Sequence, residues 1–125
     1  MLIHGRDIHF MLTCGASAEI SKLCPNNDLS RMGELFADSS DLVKMLDVIG
    51  TMAVALNKGY EMNQKFISPG YEPNPITFEE VMTLTVDELA KLQDELINVM
   101  VGDLAGEVEV EPPKGKKNET PKQDR

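Results

Sequence analysis

The sequence predicts a mainly α-helical protein, in which a short N-terminal β-hairpin packs on a small helical bundle and a charged C-terminal tail is disordered. Apolar residues recur every three or four positions over most of residues 40 to 104. Apolar and polar residues alternate, as they do in a β-strand, only within the first 13 residues. The segment from residue 106 onward is rich in charge and proline and nearly lacks apolar side chains. We therefore expect one domain at residues 1 to 105 and a disordered charged tail at residues 106 to 125.

The hairpin is expected at residues 1 to 13, where Ile3, Ile8 and Phe10 are the apolar positions. A glycine at the first loop position suits a two-residue type II′ turn, so the turn is placed at Gly5-Arg6. Because a lone hairpin is marginal in water, its apolar face should lie on helices.

Two short helices are expected next, at about residues 17 to 24 and 28 to 37. Ile20 and Leu23 would point inward from the first helix, which Pro25 stops. Asp28 can cap the second helix.

The longest helix is predicted at about residues 40 to 66. Its apolar stripe contains Leu42, Leu46, Ile49, Ala53, Leu56 and Tyr60, widened by Val43, Met45, Val48 and Met52. Glycine inside a helix costs about 1 kcal/mol relative to alanine. We therefore expect close packing at Gly50 and a bend or helix end near Gly59.

A proline-rich loop, residues 68 to 75, is followed by two capping boxes, Thr77-x-x-Glu80 and Thr85-x-x-Glu88. They predict two helix starts and helices at about 77 to 83 and 85 to 104. The inward face of the last helix is predicted to carry Val86, Leu89, Leu92, Leu96, Val99 and Met100.

The net charge is -9, and residues 72 to 104 hold eight acidic residues against one basic residue, Lys91. This negative field would repel phosphates, so direct binding of nucleic acid is not expected. Two interpretations of the acidic surface stay open, solubility alone or recognition of a partner.

Neither a membrane segment nor a signal peptide is expected. The apolar stretch from Met52 to Leu56 is far shorter than the ~20 residues of a spanning helix. The N-terminus lacks a basic start followed by an apolar stretch. We therefore expect a cytoplasmic protein.

The residues that would carry catalysis do not form a recognisable pattern. No phosphate-binding glycine loop, nucleophile elbow or metalloprotease helix occurs in the sequence. His4 and His9 are poorly spaced for a metal site, and Cys14 and Cys24 are expected to be reduced and buried as small apolar residues. The sequence thus predicts a protein without a cofactor or enzymatic activity.

The predicted helices are rich in methionine, whose flexible side chain suits an adaptable binding surface. Candidate partner-binding residues on the two amphipathic helices are Met45, Met52, Leu92, Leu96 and Met100. The alternative interpretation is that these side chains fill the core.

Two segments of the sequence resemble those of a known family: Ile3-His4-Gly5-Arg6-Asp7-Ile8-His9-Phe10, and the stretch from Gly15-Ala16-Ser17 to Leu23-Cys24-Pro25. The order that follows, a long helix, a proline-rich loop, an acidic helix and a charged tail, is similar as well. Together they resemble the tail assembly chaperones of long-tailed bacteriophages and prophages of Gram-positive bacteria. The resemblance spans about residues 1 to 105.

This resemblance implies a protein that binds the tape measure protein and keeps it soluble until the tail tube protein polymerises around it. Such a chaperone acts in the cytoplasm of the bacterial host and is absent from the mature virion. Its binding must be reversible, and formation of a homo-oligomer is left open.

The family also implies a programmed -1 ribosomal frameshift that yields a C-terminally extended form. Lys114, Gly115, Lys116 and Lys117 are the candidate frameshift region, because their codons permit a slippery heptamer.

An alternative from another class is an acidic helical regulatory or adaptor protein, of prophage or host origin, that binds a transcription factor or an enzyme. Its acidic C-terminal half would then mimic phosphate.

Overall fold

The computed structural model describes residues 1 to 36 and 40 to 109, with side chains described through Gly102. Its elements are β1 (Leu2–Ile3), β2 (Arg6–Asp7), α1 (Cys14–Ser21), α2 (Leu42–Ile67), α3 (Phe78–Met82) and α4 (Val86–Glu109). Two 3₁₀ segments, Pro25–Asn27 and Leu29–Phe36, connect α1 to α2. The predicted fold class, mainly helical with a short N-terminal hairpin, is confirmed.

The end of the chain differs from the prediction in one described part. Helix α4 continues to Glu109, beyond the end predicted near Leu104. The rest of the predicted tail, from residue 110 onward, and the candidate frameshift region, Lys114 to Lys117, lie outside the described residues.

Helix α2 is the centre of the fold, because α1, α3 and α4 all pack against it. The segment Leu29–Phe36 packs on α1. The core takes side chains from the hairpin and the four helices, and its most buried large members are Ile3, Ile20, Ile49, Met52, Leu56, Val81, Leu92, Leu96 and Met100. Burial of this apolar surface is the main contribution to stability.

The hairpin turn lies one residue earlier than the sequence predicted. Leu2 pairs with Asp7 and Ile3 pairs with Arg6, so the two loop residues are His4 and Gly5. Both have positive φ angles, 50° and 79°. Positive φ at both central positions is the geometry of a type I′ turn, so the predicted type II′ turn at Gly5-Arg6 was wrong.

Contacts from the turn fix the hairpin to α3 and the loop before it. The His4 Nε2 atom forms a hydrogen bond with the Thr83 hydroxyl. The Arg6 guanidinium forms a salt bridge of 3.3 Å with Glu80 and donates to the carbonyl oxygen of Asn74. The N-terminal hairpin is therefore joined to the second half of the chain.

The first helical segment begins earlier than predicted, whereas the second begins after Asp28, as predicted, but is a 3₁₀ helix. Thr13 Oγ1 accepts a hydrogen bond of 3.1 Å from the Ala16 amide, so α1 begins at Cys14 and ends at Ser21. The second segment is a 3₁₀ helix, in which Asp28 accepts from the amide and hydroxyl of Ser30 at 3.0 and 2.7 Å.

Both predicted capping boxes are confirmed. The Thr77 amide donates to Glu80 at 2.9 Å, and the Glu80 amide donates to the Thr77 hydroxyl at 3.2 Å. Thr85 and Glu88 form the same reciprocal pair, with distances of 2.9 and 3.1 Å. The hydrogen bond from the Thr85 amide lowers the pKa of Glu88. Two separate helix starts follow directly from these four residues.

Three residues of the predicted apolar stripes face solvent instead. Leu42, Val43 and Val86 are 53%, 81% and 67% exposed. Each lies in the first turn of its helix. Within the described ranges, none of the helices is both long enough and apolar enough to cross a membrane.

The two cysteines occupy different environments, which corrects the prediction that both are buried. Cys14 is exposed at the first position of α1. Cys24 is buried, and its thiol lies 3.6 Å from the carbonyl oxygen of Ile20. Burial raises the pKa of the Cys24 thiol, and the nearby charges of Asp28 and Glu34 raise it further.

We expect a thiol reagent to modify one cysteine rapidly in the folded protein and the second only when the chain unfolds. The reactive species is the thiolate, which burial of Cys24 disfavours. Spectroscopic titration with a chromogenic disulfide measures both phases. Cys14→Ser should abolish the rapid phase and Cys24→Ser should preserve it; two rapid thiols in the folded wild type would contradict the assignment.

Candidate functional site

The five candidate partner-binding residues lie in the core rather than on a binding surface. Met45, Met52, Leu92, Leu96 and Met100 are all at least 96% buried. The reason is that α2 and α4 turn their apolar stripes toward each other. A stripe in the sequence shows which face of a helix is apolar, but not whether another helix of the same chain covers it. These five side chains therefore fill the core, which was the alternative interpretation.

An apolar groove lies elsewhere, between α1 and α2. It has a volume of 650 Å³ and opens to solvent. Its α2 side is formed chiefly by Val54, Ala55, Met62 and Phe66, and Phe78 of α3 also lines it. The α1 side is formed by small residues such as Gly15 and Ala16 together with Thr13 and Glu19. We call this feature the α1/α2 groove.

The groove is shaped by close contact between α2 and the segment before α1. The Met11 amide donates to the carbonyl oxygen of Leu56 at 3.0 Å. A Cβ atom at Gly59 would lie 2.9 Å from the Met11 oxygen and 2.8 Å from the Thr13 hydroxyl. Gly59 is therefore a packing position. Of the two expectations for this residue, a bend or a helix end, the helix end is wrong, because α2 continues to Ile67.

Two large apolar side chains of the groove are accessible to solvent. Phe66 is 80% exposed and Met62 is 37% exposed, and they lie one helical turn apart. A single exposed apolar residue is ordinary on a protein surface. An exposed aromatic ring and a methionine that border an apolar groove are typical of a surface that binds a partner.

Charged side chains lie along the rim of the groove. Glu19 on α1 forms a salt bridge of 3.2 Å with Lys22. Lys58 on α2 is exposed, and no ion pair involves it among residues 1 to 36 and 40 to 102. Lys58 is thus available to a negatively charged group on a bound molecule.

A buried amide on α2 holds the two loops beside this helix. Asn57 is fully buried; its side-chain nitrogen donates to the His9 carbonyl at 2.8 Å, and its side-chain oxygen accepts from the Ile76 amide at 2.7 Å. One side chain therefore satisfies polar backbone groups from two distant segments. This role was not predicted from the sequence, although a polar residue beside Leu56 in the apolar helix was a usable signal.

Glu61, one turn further along α2, repeats this arrangement for the proline-rich loop. Its carboxylate is 8% exposed and accepts hydrogen bonds from the Tyr71 hydroxyl at 2.7 Å and the Asn74 amide at 2.9 Å. The bond to Glu61 raises the pKa of the Tyr71 hydroxyl, because it stabilises the protonated form. Asn57 and Glu61 are best described as structural clamps.

The titratable side chains are dispersed over the described surface. His9 lies 3.3 Å from Asp7 and packs on Tyr60 with ring centres 4.9 Å apart, whereas His4 contacts α3 through Thr83. Within residues 1 to 36 and 40 to 102, no group of three or more His, Cys, Asp and Glu side chains could hold a metal ion. The groove itself is lined mainly by apolar atoms, as pockets that bind ligands commonly are.

The fold and the groove together define a class of protein, a small helical protein with an apolar surface groove between two helices. Comparisons with models of known protein families, with curated proteins and with solved structures found no match.

Proposed function

We propose that this chain is a non-catalytic tail assembly chaperone of a long-tailed phage or prophage, and that it binds the tape measure protein through the α1/α2 groove. The observation that carries the proposal is the solvent-open apolar groove with Met62 and Phe66 at its surface. The family resemblance of residues 1 to 105 suggests the identity of the client.

An amphipathic helix is the form of client that the groove favours. Two neighbouring helices present a valley into which the side chains of a third helix can insert. On α2, the groove extends from Thr51 to Phe66, which corresponds to about 22 Å at 1.5 Å per residue. A client helix of about four turns would fill this length. Tape measure proteins are long and helical, so many copies could bind along one molecule.

Reversible binding is consistent with the size of this surface. A groove that takes one helical face buries less area than an obligate interface does. Its rim is polar, with Glu19 and Lys58, so the groove can return to water when the client leaves. We therefore propose action in the host cytoplasm, displacement by the tail tube protein and absence from the mature virion.

The test is co-expression with a helical fragment of the tape measure protein encoded in the same genome. Wild-type chain should keep the fragment soluble, and Phe66→Glu should reduce the soluble fraction at least about fivefold, because a charge would be placed in the apolar binding surface. Val43→Glu is the matched control, since Val43 is 81% exposed on the same helix and does not line the groove. Precipitation of the fragment at excess wild-type chain would exclude the proposal, and equal effects of both variants would exclude the groove.

A second candidate, the regulatory or adaptor protein, is favoured by one observation. Asp87, Glu88, Asp94 and Glu95 are all exposed on α4, so this helix offers a negative surface to a basic partner. The genes on either side separate the two candidates. A tube protein gene and a long tape measure gene beside this one favour the chaperone, whereas a neighbouring repressor gene favours the regulator.

A further inference from the structure

Lys58 lines the α2 side of the groove and Lys65 follows it on the same face of the helix, although the chain as a whole carries a net charge of -9. Lys58 and Lys65 are exposed and lie seven residues apart, which places them on one face of α2 about 10 Å from each other. Among the described ion pairs, neither lysine participates. Apolar Met62 lies between them on the same face. An occupant with two acidic residues at matching spacing would complement these two lysines.

Helix α4 of the same chain has such a pattern on its outer surface. Its buried stripe, Leu89, Leu92, Leu96 and Met100, faces α2. A second stripe, turned about 100° around the helix, contains Val86, Ala90, Ile97 and Val101. Val86 and Val101 are 67% and 56% exposed. This second stripe is therefore an apolar surface that the chain's own core leaves accessible.

Acidic residues accompany this second stripe at the required spacing. Asp87 and Asp94 are exposed and seven residues apart, the same separation as Lys58 and Lys65 on α2. Lys91 lies between the two aspartates in sequence, but it projects about 50° further around the helix, away from the apolar stripe. The two aspartates of α4 thus complement the two lysines on the α2 side of the groove.

We propose that α4 of a second copy of this chain occupies the α1/α2 groove antiparallel to α2, with Asp94 beside Lys58 and Asp87 beside Lys65. If α4 of each copy lies in the groove of the other, the two copies form a closed two-fold dimer. If only one α4 is docked, a groove and an α4 surface remain for a further copy. The apolar stripe of α4 covers Met62 and Phe66, which reduces the apolar surface exposed to water.

If the proposed function holds, the second copy and the client helix compete for the same groove. A client helix and the α4 of a second copy cannot occupy one groove together. Self-association then protects the groove until the client arrives, and the client separates the copies. The association itself requires no client, so the two proposals can fail independently.

The experiment measures the mass of the 125-residue chain, 13.8 kDa as a monomer, by analytical ultracentrifugation across a wide concentration range. Salt near physiological strength screens the general repulsion between acidic copies, with a Debye length of about 8 Å, while close pairs persist. The wild type should form dimers or larger species as its concentration rises. Lys58→Glu and Asp94→Lys should each weaken association about tenfold or more, because each places like charges together.

The decisive sample is a mixture of the two variants. The groove of the Lys58→Glu variant and the α4 helix of the Asp94→Lys variant again have opposite charges at these positions. The mixture should therefore associate as the wild type does, although each variant alone associates weakly. Lys44→Glu and Glu72→Lys are controls with the same kinds of charge change at exposed positions outside the groove and outside α4, and they should leave association unchanged. Circular dichroism confirms that every variant is folded.

A wild type that stays monomeric at all concentrations would overturn the proposal. Association that Lys58→Glu leaves intact, or a mixture of folded variants that fails to associate, would overturn it as well. If the mixture associates while the tape measure fragment still precipitates with the wild type, the self-association surface stands and the proposed client does not.

Discussion

Asn57→Leu should lower the free energy of unfolding by about 3 kcal/mol, because it leaves one buried and one partly buried backbone group without partners. The leucine side chain has the same branched shape as asparagine and occupies the same space. However, it can neither donate to the His9 carbonyl nor accept from the Ile76 amide, whose present distances are 2.8 and 2.7 Å. A loss of this size is a large fraction of the stability of a small domain.

Urea denaturation measures this effect as a lower midpoint with an unchanged slope. The matched control is Asn98→Leu, the same substitution at an exposed position of α4, where the expected change is within about 0.5 kcal/mol. Similar losses for both variants would mean that the general cost of replacing asparagine, and not the clamp, determines the result.

The clamp at Asn57 also positions the groove. His9 is followed closely by Met11 and Thr13, which pack on Gly59 at the edge of the groove, and Ile76 is followed by Phe78, which lines it. We therefore expect the same variant, where it still folds, to bind a client helix less tightly. The loss would occur without any change in the residues that contact the client.

Gly50→Ala should destabilise the protein by about 1 to 3 kcal/mol, although alanine is the better helix former by about 1 kcal/mol. A Cβ atom at position 50 would collide with the Phe78 ring, with the Cδ1 atom only 2.9 Å away. The ring would have to move away from α2, which gives up part of the packing between α2 and α3. Thermal unfolding followed by circular dichroism measures the change.

The chain provides a control of opposite sign. Gly102 lies in α4, and a Cβ atom added there would have nothing within 4 Å, so Gly102→Ala should stabilise the protein by up to about 1 kcal/mol. In a Phe78→Ala background the collision is removed, and Gly50→Ala should then become neutral or stabilising. Additive effects of the two substitutions would show that the Phe78 ring is not the cause.

The local parts of the fold were predicted well from the sequence. Thr77 with Glu80, and Thr85 with Glu88, form their hydrogen bonds within four residues, so their spacing alone predicts two helix starts. The long apolar periodicity predicted α2, and the cost of Gly50 in a helix predicted a close contact there. The missed cap was Thr13, whose hydrogen bond from the Ala16 amide is equally local and could have been proposed.

The hairpin turn could not be placed from its own sequence. Gly5 indicated a turn, but two adjacent registers satisfy the same glycine, with either His4 or Arg6 as the second loop residue. The choice is made by contacts of the turn with distant residues, His4 with Thr83 and Arg6 with Glu80. A pattern within 13 residues cannot contain information about residues 70 or more positions away.

The sequence by itself determined the mainly helical class, the starts of α3 and α4 and the acidic character of α4, because these depend on interactions between residues a few positions apart. Only the tertiary structure decided which apolar residues are free to bind. It buried Met52 and Leu92 where α2 and α4 pack together and left Met62 and Phe66 beside a groove. The physical reason is that apolar residues of the core and apolar residues of the groove have the same helical periodicity. Burial depends instead on which helices pack together in three dimensions.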